Sequence, residues 1–302
     1  MRVFVLGASG HIGSALVPEL QDAGHQVAGL ARSDASAQRL EAAGVEVWRG
    51  DLGDLDVIKK AAADADGVIQ LAYRRDLMHG GDVAGVVAAN LSVIEAAGEA
   101  LEGTGKPFVA PAGTLVLWAG GVSGRPGTEE DTVEGNPLAD SENATVALAE
   151  RGVRSSVIRL SPVVHSMLDT QGFTPALIGI ARDKGVAGYV GDGANRWPAV
   201  HTLDAARLFR LALESAPAGS RLHGVADEGV RFRDIAEAIG RNLGVPAASV
   251  APEDAAAHFG FLGAFAAADN PASSALTRQR LGWEPVYPGL IADLDEGHYF
   301  RP

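Results

Sequence analysis

The feature that most constrains this chain is its opening, MRVFVLGASGHIG. A short apolar run, Val3–Leu6, meets a turn built on Gly7, Gly10 and Gly13, and an amphipathic segment follows at once. The first glycine permits a tight turn. The second lets backbone approach a pyrophosphate, and the third lets a helix pack closely on a strand. Gly7, Ala8, Ser9, Gly10, His11, Ile12 and Gly13 therefore form a candidate dinucleotide cradle, with phosphates facing the unpaired N–H groups of a helix N-terminus.

The pattern behind this turn is repetitive. Helical segments are expected at Ile12–Ala23, Ser36–Ala43, Leu55–Ala63, Val83–Leu101 and Asp140–Arg151. Strands are expected at Gln26–Ala31, Val45–Trp48, Gly67–Ala72, Pro107–Ala110 and Val153–Leu160. Short apolar runs alternating with longer helices predict βα units around a parallel sheet. The alternation ends near Leu160. Beyond it, helices are expected at Leu203–Glu214, Phe232–Leu243 and Leu290–Gly297, with strand candidates at Leu222–Val225 and Val250. The expectation is an α/β, Rossmann-type doubly wound sheet over residues 1–160. Residues 161–302 mainly form a smaller substrate-binding lobe, with segments returning to the first domain.

The second strand ends at Ala31-Arg32-Ser33 with no carboxylate. NAD-binding sites commonly hold the adenosine ribose with an acid there. Arg32 and Ser33 suit the 2′-phosphate of NADP instead, since a guanidinium fork matches phosphate geometry. Asp34 is the competing NAD reading. Asp51 and Leu52 reach the adenine edge, unless Asp51 merely caps the turn before Leu55.

A net charge of −13 over 302 residues argues against nucleic acid and anionic membrane as partners. Cysteine is absent, which removes disulfides, thiolate metal sites and cysteine nucleophiles. The uncharged run Pro107–Gly124 carries two prolines and several glycines and reads as strand plus buried loop, not a membrane span. The N-terminus is no signal peptide, so a cytoplasmic protein is expected. The eight histidines are scattered without a trusted ligand spacing, so no metal is expected.

Three stretches resemble the extended and atypical branches of the short-chain dehydrogenase/reductase superfamily, whose members are epimerase/dehydratase-like. They are GASGHIG, the run Val68-Ile69-Gln70-Leu71-Ala72, and GYVGDGANRWPAVHTLDAARLF from Gly188 to Phe209. The resemblance implies a doubly wound sheet with substrate held between it and a small lobe. It places Leu71, Ala72, Tyr73, Asn90, Ala112, Ser161 and Val164 along the cofactor. Asn90 orders water or backbone near the site, or is simply a polar helix residue.

Active members of the superfamily carry a tyrosine and, four residues later, a lysine on the helix before the sixth strand. Counting back from Arg159-Leu160 puts those slots near Asn136 and Asp140, and Asn136–Arg151 holds neither residue type. The four tyrosines are Tyr73, Tyr189, Tyr287 and Tyr299. Thr114 matches the family's carbonyl-polarising serine or threonine, with a structural role as the alternative. Tyr73, at the rim where ligands bind, is either a substitute proton donor or a cofactor-lining residue. His165, in a loop after the sixth strand, is the other titratable candidate, with packing as its ordinary role. His201 reads as structural, and Asp204 as a cap or anchor for the helix beside it.

Trp118, Met167, Tyr189, Trp197, Phe259, Phe261 and Phe265 divide between an apolar pocket and ordinary core. The apolar stretch Phe259–Ala268 either covers the pocket or buries a homodimer interface. Two function classes follow: an oxidoreductase, NADP-preferring with NAD as the alternative, acting on a small to medium carbonyl or alcohol; or a cofactor-binding sensor or scaffold without turnover. A sugar-nucleotide epimerase is a third reading. For its diphosphate only Arg182, Lys184 and Arg196 are on hand.

Overall fold

β1 (Arg2–Leu6) is buried along nearly its whole length, and Gly7 turns the chain with a φ of +88° that suits glycine alone. α1 (His11–Asp22) buries Leu16, Val17 and Leu20. β2 (Gln26–Ala31), α2 (Asp34–Ala42), β3 (Glu46–Arg49), α3 (Leu55–Asp64) and β4 (Gly67–Gln70) continue the alternation. The computed structural model describes residues 1–74, 77 and 82–301.

α4 (Val83–Leu101) is long and apolar enough to cross a membrane by length and composition. Here Val93, Ile94, Ala97 and Leu101 bury its inner face in the core beneath the sheet. β5 (Pro107–Gly113) leads into a short helix, α5 (Leu115–Ala119). The uncharged run is thus strand, a short helix where loop was expected, and then turn and loop to Gly124. α6 is also shorter than the sequence suggested. It spans Asp140–Ala147 and tightens to a 3₁₀ turn over Leu148–Arg151, closed by Gly152 in the left-handed region, before β6 (Arg154–Leu160).

Beyond β6 the chain builds the lobe from β7 (Val163–His165), α7 (Phe173–Lys184), β8 (Ala187–Val190) and β9 (Arg196–His201). It then returns. α8 (Thr202–Ser215) packs on α1, and β10 (Ser220–Gly224) pairs with β6. β11 (Asp227–Arg231), α9 (Phe232–Leu243), β12 (Ala247–Val250) and α10 (Ala255–Phe259) go back to the lobe. α11 (Ala275–Leu281) touches β10 and α8, and α12 (Leu290–Asp295) closes on α9.

Among the described residues the central sheet has the order β10-β6-β5-β4-β1-β2-β3, all parallel. Order reverses on either side of β1, so the crevice outside the C-terminal ends of β1 and β4 is the topological switch point where ligands bind in such sheets. The lobe carries a β11-β9-β7 sheet, a β12-β8 pair and its own core around Trp197, Phe232 and Phe259.

Candidate functional site

The glycine turn is tight enough to forbid side chains. A Cβ on Gly13 would lie 2.1 Å from the Gly7 carbonyl oxygen, and one on Gly7 would lie 2.7 Å from the Ala72 amide nitrogen. The close approach brings Leu71 and Ala72, just past β4, against the turn. Gly10 is the N-cap of α1. Among the described residues no side chain caps that end, and no acid stands in the first turn. Backbone N–H groups at this end of α1 point where an anion can meet them, the donor set a pyrophosphate requires. Asn90 on α4 adds a buried carboxamide oxygen with no partner among the described residues, an acceptor suited to a bound donor. These residues fit a dinucleotide.

At the adenosine end, Ala31 is buried and Arg32 is exposed. Ser33 is taken up locally. Its hydroxyl accepts from the Ser36 amide at 3.2 Å in a capping box for α2, which weakens its case as a phosphate ligand. Asp34, the competing acid, is met by the Arg49 guanidinium at 2.5 Å. Asp51 accepts from the Gly53 amide at 2.6 Å, while its own amide donates to Asp54. That is the turn-capping reading of Asp51, and Leu52 lies partly buried beside it.

The residues expected around the reacting end separate. Tyr73 follows β4 with 45% of its surface exposed, and desolvation of the phenol raises its pKa above the ordinary value. Thr114 is wholly buried, and its Oγ1 accepts from the Asn270 amide at 2.9 Å. Ala112 lies just before it on β5. Ser161 is buried, with its hydroxyl donating to the Gly224 carbonyl at 3.0 Å, so it ties β6 to β10. Val164 packs partly buried against the sheet core.

His165 is not in a loop. It lies on β7, fully buried, with Nδ1 2.9 Å from Asp293 and its ring edge-on to His201. The bond to Asp293 and the ring contact with His201 match the packing role given as its alternative, and the loop expected for His165 is corrected to a strand. His201 caps α8 by accepting from the Leu203 amide, and burial together with nearby His165 lowers its pKa. Asp204 takes the anchoring role of its two expected alternatives. It accepts from the Val286 and Tyr287 amides and so anchors the C-terminal segment to α8.

The apolar candidates divide too. Tyr189, Trp197 and Phe259 are lobe core, whereas Trp118, Met167 and Phe261 are exposed and Phe265 is half-buried. Arg196 is not free for a diphosphate, because its Nε and Nη2 grip Asp269 at 3.0 and 2.8 Å.

Several residues of the site had no sequence signal. Asp169, in the loop after β7, accepts from the Gly172 amide at 2.7 Å and lies 3.8 Å from His11 Nδ1. Burial pushes its carboxyl up to about 6. Tyr299 accepts from the Ser166 amide at 3.0 Å and reaches Asp169 at 3.3 Å, and burial with the Asp169 carboxylate raises its phenol well above the usual range. His11 Nε2 lies 2.8 Å from Thr202 Oγ1, which also accepts from Ser166. The cofactor turn is thereby joined to the lobe. Asp293, Glu296 and His298 bring ligand-capable atoms within 4.8 Å of one another, but Asp293 is already bonded to His165.

Of the two positions reached by counting back from β6, Asn136 caps a 3₁₀ turn by accepting from the Leu138 amide, and Asp140 opens α6. Behind them, Glu142 on α6 binds Arg159 on β6 at 2.5 Å and Arg221 on β10 at 2.7 Å, with Glu142 and Arg159 fully buried. Burial alone would lift Glu142, but the two guanidiniums outweigh it and hold the carboxyl below its ordinary value.

The family profile described as the NAD dependent epimerase/dehydratase family matches residues 3–223. Protein C2A9.02 of Schizosaccharomyces pombe, functionally uncharacterised, is 46% identical over 99% of this chain and 100% of its own length. Protein YLL056C of Saccharomyces cerevisiae, likewise uncharacterised, is 41% identical over 97% and 98%. Among solved structures, the fold matches MoeE5 in complex with UDP-glucose and NAD, with TM-score 0.74, 20% identity, and coverage of 99% and 97%. It also matches the UDP-glucuronic acid 4-epimerase of Bacillus cereus, in complex with UDP-glucuronic acid and NAD, with TM-score 0.75, 18% identity, and coverage of 99% and 98%.

Proposed function

This chain belongs to the NAD dependent epimerase/dehydratase family, and on that premise we propose that it is a dinucleotide-dependent oxidoreductase. Its substrate is a small to medium carbonyl compound or the corresponding alcohol, and NADP is the preferred cofactor. The observation that carries the reading is the uncapped N-terminus of α1 over a turn with no room for a Cβ.

Gly7–Gly13 would hold the pyrophosphate, Arg32 the adenosine 2′-phosphate, and Leu71, Ala72 and Asn90 the groove between. The preference for NADP rests on the ends of β2 and β3. Arg32 stands where an acid would grip ribose hydroxyls, and Asp34 is turned to Arg49. That pair is exposed and energetically minor, but it occupies the carboxylate that NAD would use.

When bound, the nicotinamide supplies hydride to a carbonyl carbon or withdraws it from an alcohol. The protein's task is then to meet the negative charge that grows on oxygen. Tyr73 suits this without a lysine. Its phenol carries a proton at neutral pH, and the partly exposed ring can regain it from water, although burial, by raising the pKa, makes it a weaker acid than a free phenol. Thr114 is wholly buried and held by Asn270, which supports the structural alternative for it.

Titration with NADPH and NADH tests the reading. NADPH should bind at least about tenfold tighter, and Arg32→Ala should erase the difference. NADPH oxidation in the presence of a ketone should fall sharply in Tyr73→Phe. Equal affinities would remove the NADP preference. Dinucleotide binding without turnover of any carbonyl would favour the sensor reading.

A further inference from the structure

His11 is the first residue of α1, at the helix end that meets the pyrophosphate in the reading above. Both nitrogens of its ring face lobe-side residues. Nε2 lies 2.8 Å from Thr202 Oγ1, and Nδ1 lies 3.8 Å from Asp169 Oδ1. The hydroxyl directions set the tautomer. Thr202 donates its one hydrogen to the His165 carbonyl at 3.1 Å, so toward His11 its oxygen can only accept. Nε2 therefore carries the hydrogen, and the neutral ring turns its Nδ1 lone pair toward the Asp169 carboxylate. Two acceptors face each other, and one proton between them, on ring or carboxyl, satisfies both. With that proton the pair is neutral, and without it the pair carries one negative charge.

Asp169 is 3% exposed. Its Oδ1 accepts from the Gly172 amide, and the Tyr299 hydroxyl of the C-terminal 3₁₀ turn stands 3.3 Å from Oδ2. Both are neutral donors. Among the described residues, His165 on β7 also acts on this carboxyl, and Asp293 on α12 acts on Tyr299 behind it.

We propose that the His11–Asp169 pair takes up one proton from solvent as a dinucleotide binds, and so sets the pH range over which the cofactor is held. The proposal rests on the dinucleotide reading above and gives that site a proton linkage. A pyrophosphate brings negative charge to the N-terminus of α1, beside the His11 ring. The unprotonated pair repels that charge through a poorly solvated space, and the protonated pair does not. Burial has already lifted the Asp169 carboxyl to about 6, and a further negative charge close by raises a carboxyl by roughly one to three units. Near neutral pH the pair thus passes from mostly unprotonated to mostly protonated when the cofactor arrives. The proton comes from the buffer and no covalent bond to carbon, nitrogen or phosphorus changes. It also gives Asp169 and His11 a hydrogen to share, which draws the lobe loop onto the glycine turn.

The test is calorimetric titration of the full-length protein with NADP in buffers of different ionisation enthalpy. The slope of measured enthalpy against buffer enthalpy counts the protons taken up. A phosphate monoester itself titrates at about pH 6, so the count is read as parent minus Asp169→Asn, in which the cofactor's own share cancels. The carboxamide keeps an acceptor for the Gly172 amide and stays neutral throughout. The difference should be an uptake of about half a proton or more near pH 7, shrinking toward zero at about pH 5 and about pH 9. Between about pH 6.5 and 7.5, NADP affinity should fall roughly three- to tenfold more per pH unit in the parent than in the variant. Equal proton counts in parent and variant, or net release in the difference, overturn the proposal. Should Asp169→Asn fail to fold, NAD, which has no phosphate monoester, gives the count on the parent alone, and zero uptake near pH 7 overturns it. A parent that binds neither dinucleotide overturns the dinucleotide reading instead.

Discussion

Asn270 donates a hydrogen bond to the hydroxyl of Thr114 across 156 residues of chain, and both partners are buried. Removing either partner strands the other. Thr114→Val keeps the shape and leaves the amide unsatisfied, which should cost about 1–3 kcal/mol in chemical denaturation. Thr114→Ser restores the bond, so it should recover most of that stability together with any carbonyl reduction. Recovery of stability without activity would separate Thr114's structural role from a chemical one.

Gly13→Ala puts a methyl group 2.1 Å from the Gly7 carbonyl. Only backbone can yield there. Dinucleotide binding should therefore fall by more than about tenfold, with a thermal midpoint several degrees lower. Gly24→Ala is the contrasting control. Its Cβ would meet nothing, but its φ of +82° makes the substitution costly in strain alone. It should lower stability while cofactor affinity is unchanged.

Asp169 gives a pH signature of opposite sign to the usual carboxylate. Its folded pKa, about 6, lies above the ordinary aspartate value of 3.8 because burial disfavours the charge. The folded state therefore binds the proton more tightly. The stability this contributes is complete below about pH 4 and is lost as pH rises through 6, amounting to about 3 kcal/mol. Asp169→Asn, which mimics the protonated acid, should gain on the parent as pH rises from 4 to 7.5. Denaturation curves across that range check it, and a gap that does not change with pH would refute it. His11, Tyr299 and His165 face this carboxyl and set the exact midpoint.

Glu142→Ala should be the most destabilising of these changes. It leaves Arg159 buried with no carboxylate, and breaking such a pair costs about 3–5 kcal/mol. Glu142→Gln retains an acceptor and should cost less. Neither change should alter the ratio of NADPH to NADH affinity, because the network stands behind α6 and away from the β2 and β3 ends.

The sequence disclosed what is local. Glycine spacing, the apolar runs of β1 and β2, and the periodicity of Phe232–Leu243 each express geometry within a few residues, and the parallel sheet followed from their alternation. α7 was missed because Gly-Phe-Thr-Pro at its start resembles a turn, although Phe173, Leu177 and Ala181 keep helical spacing. β7 is three residues long and carries too little pattern to see. His165 looked like a loop histidine for that reason. The contacts around Asp169, Tyr299 and Asn270 join residues more than a hundred positions apart, and no local rule could have brought them together. The exposure of Phe261 and burial of Phe259 depend on which side of a single turn faces the lobe core.

The return of α8 and β10 to the sheet has a consequence for modularity. The lobe is not a cassette appended after residue 160, since the chain leaves the sheet, comes back to supply its edge strand and a covering helix, and departs again. A graft of the lobe from a relative would have to carry that edge strand and its Arg221 with it, or Glu142 would lose one of its two guanidinium partners. Recombination between relatives at the β6 boundary should therefore yield chains that fail to fold.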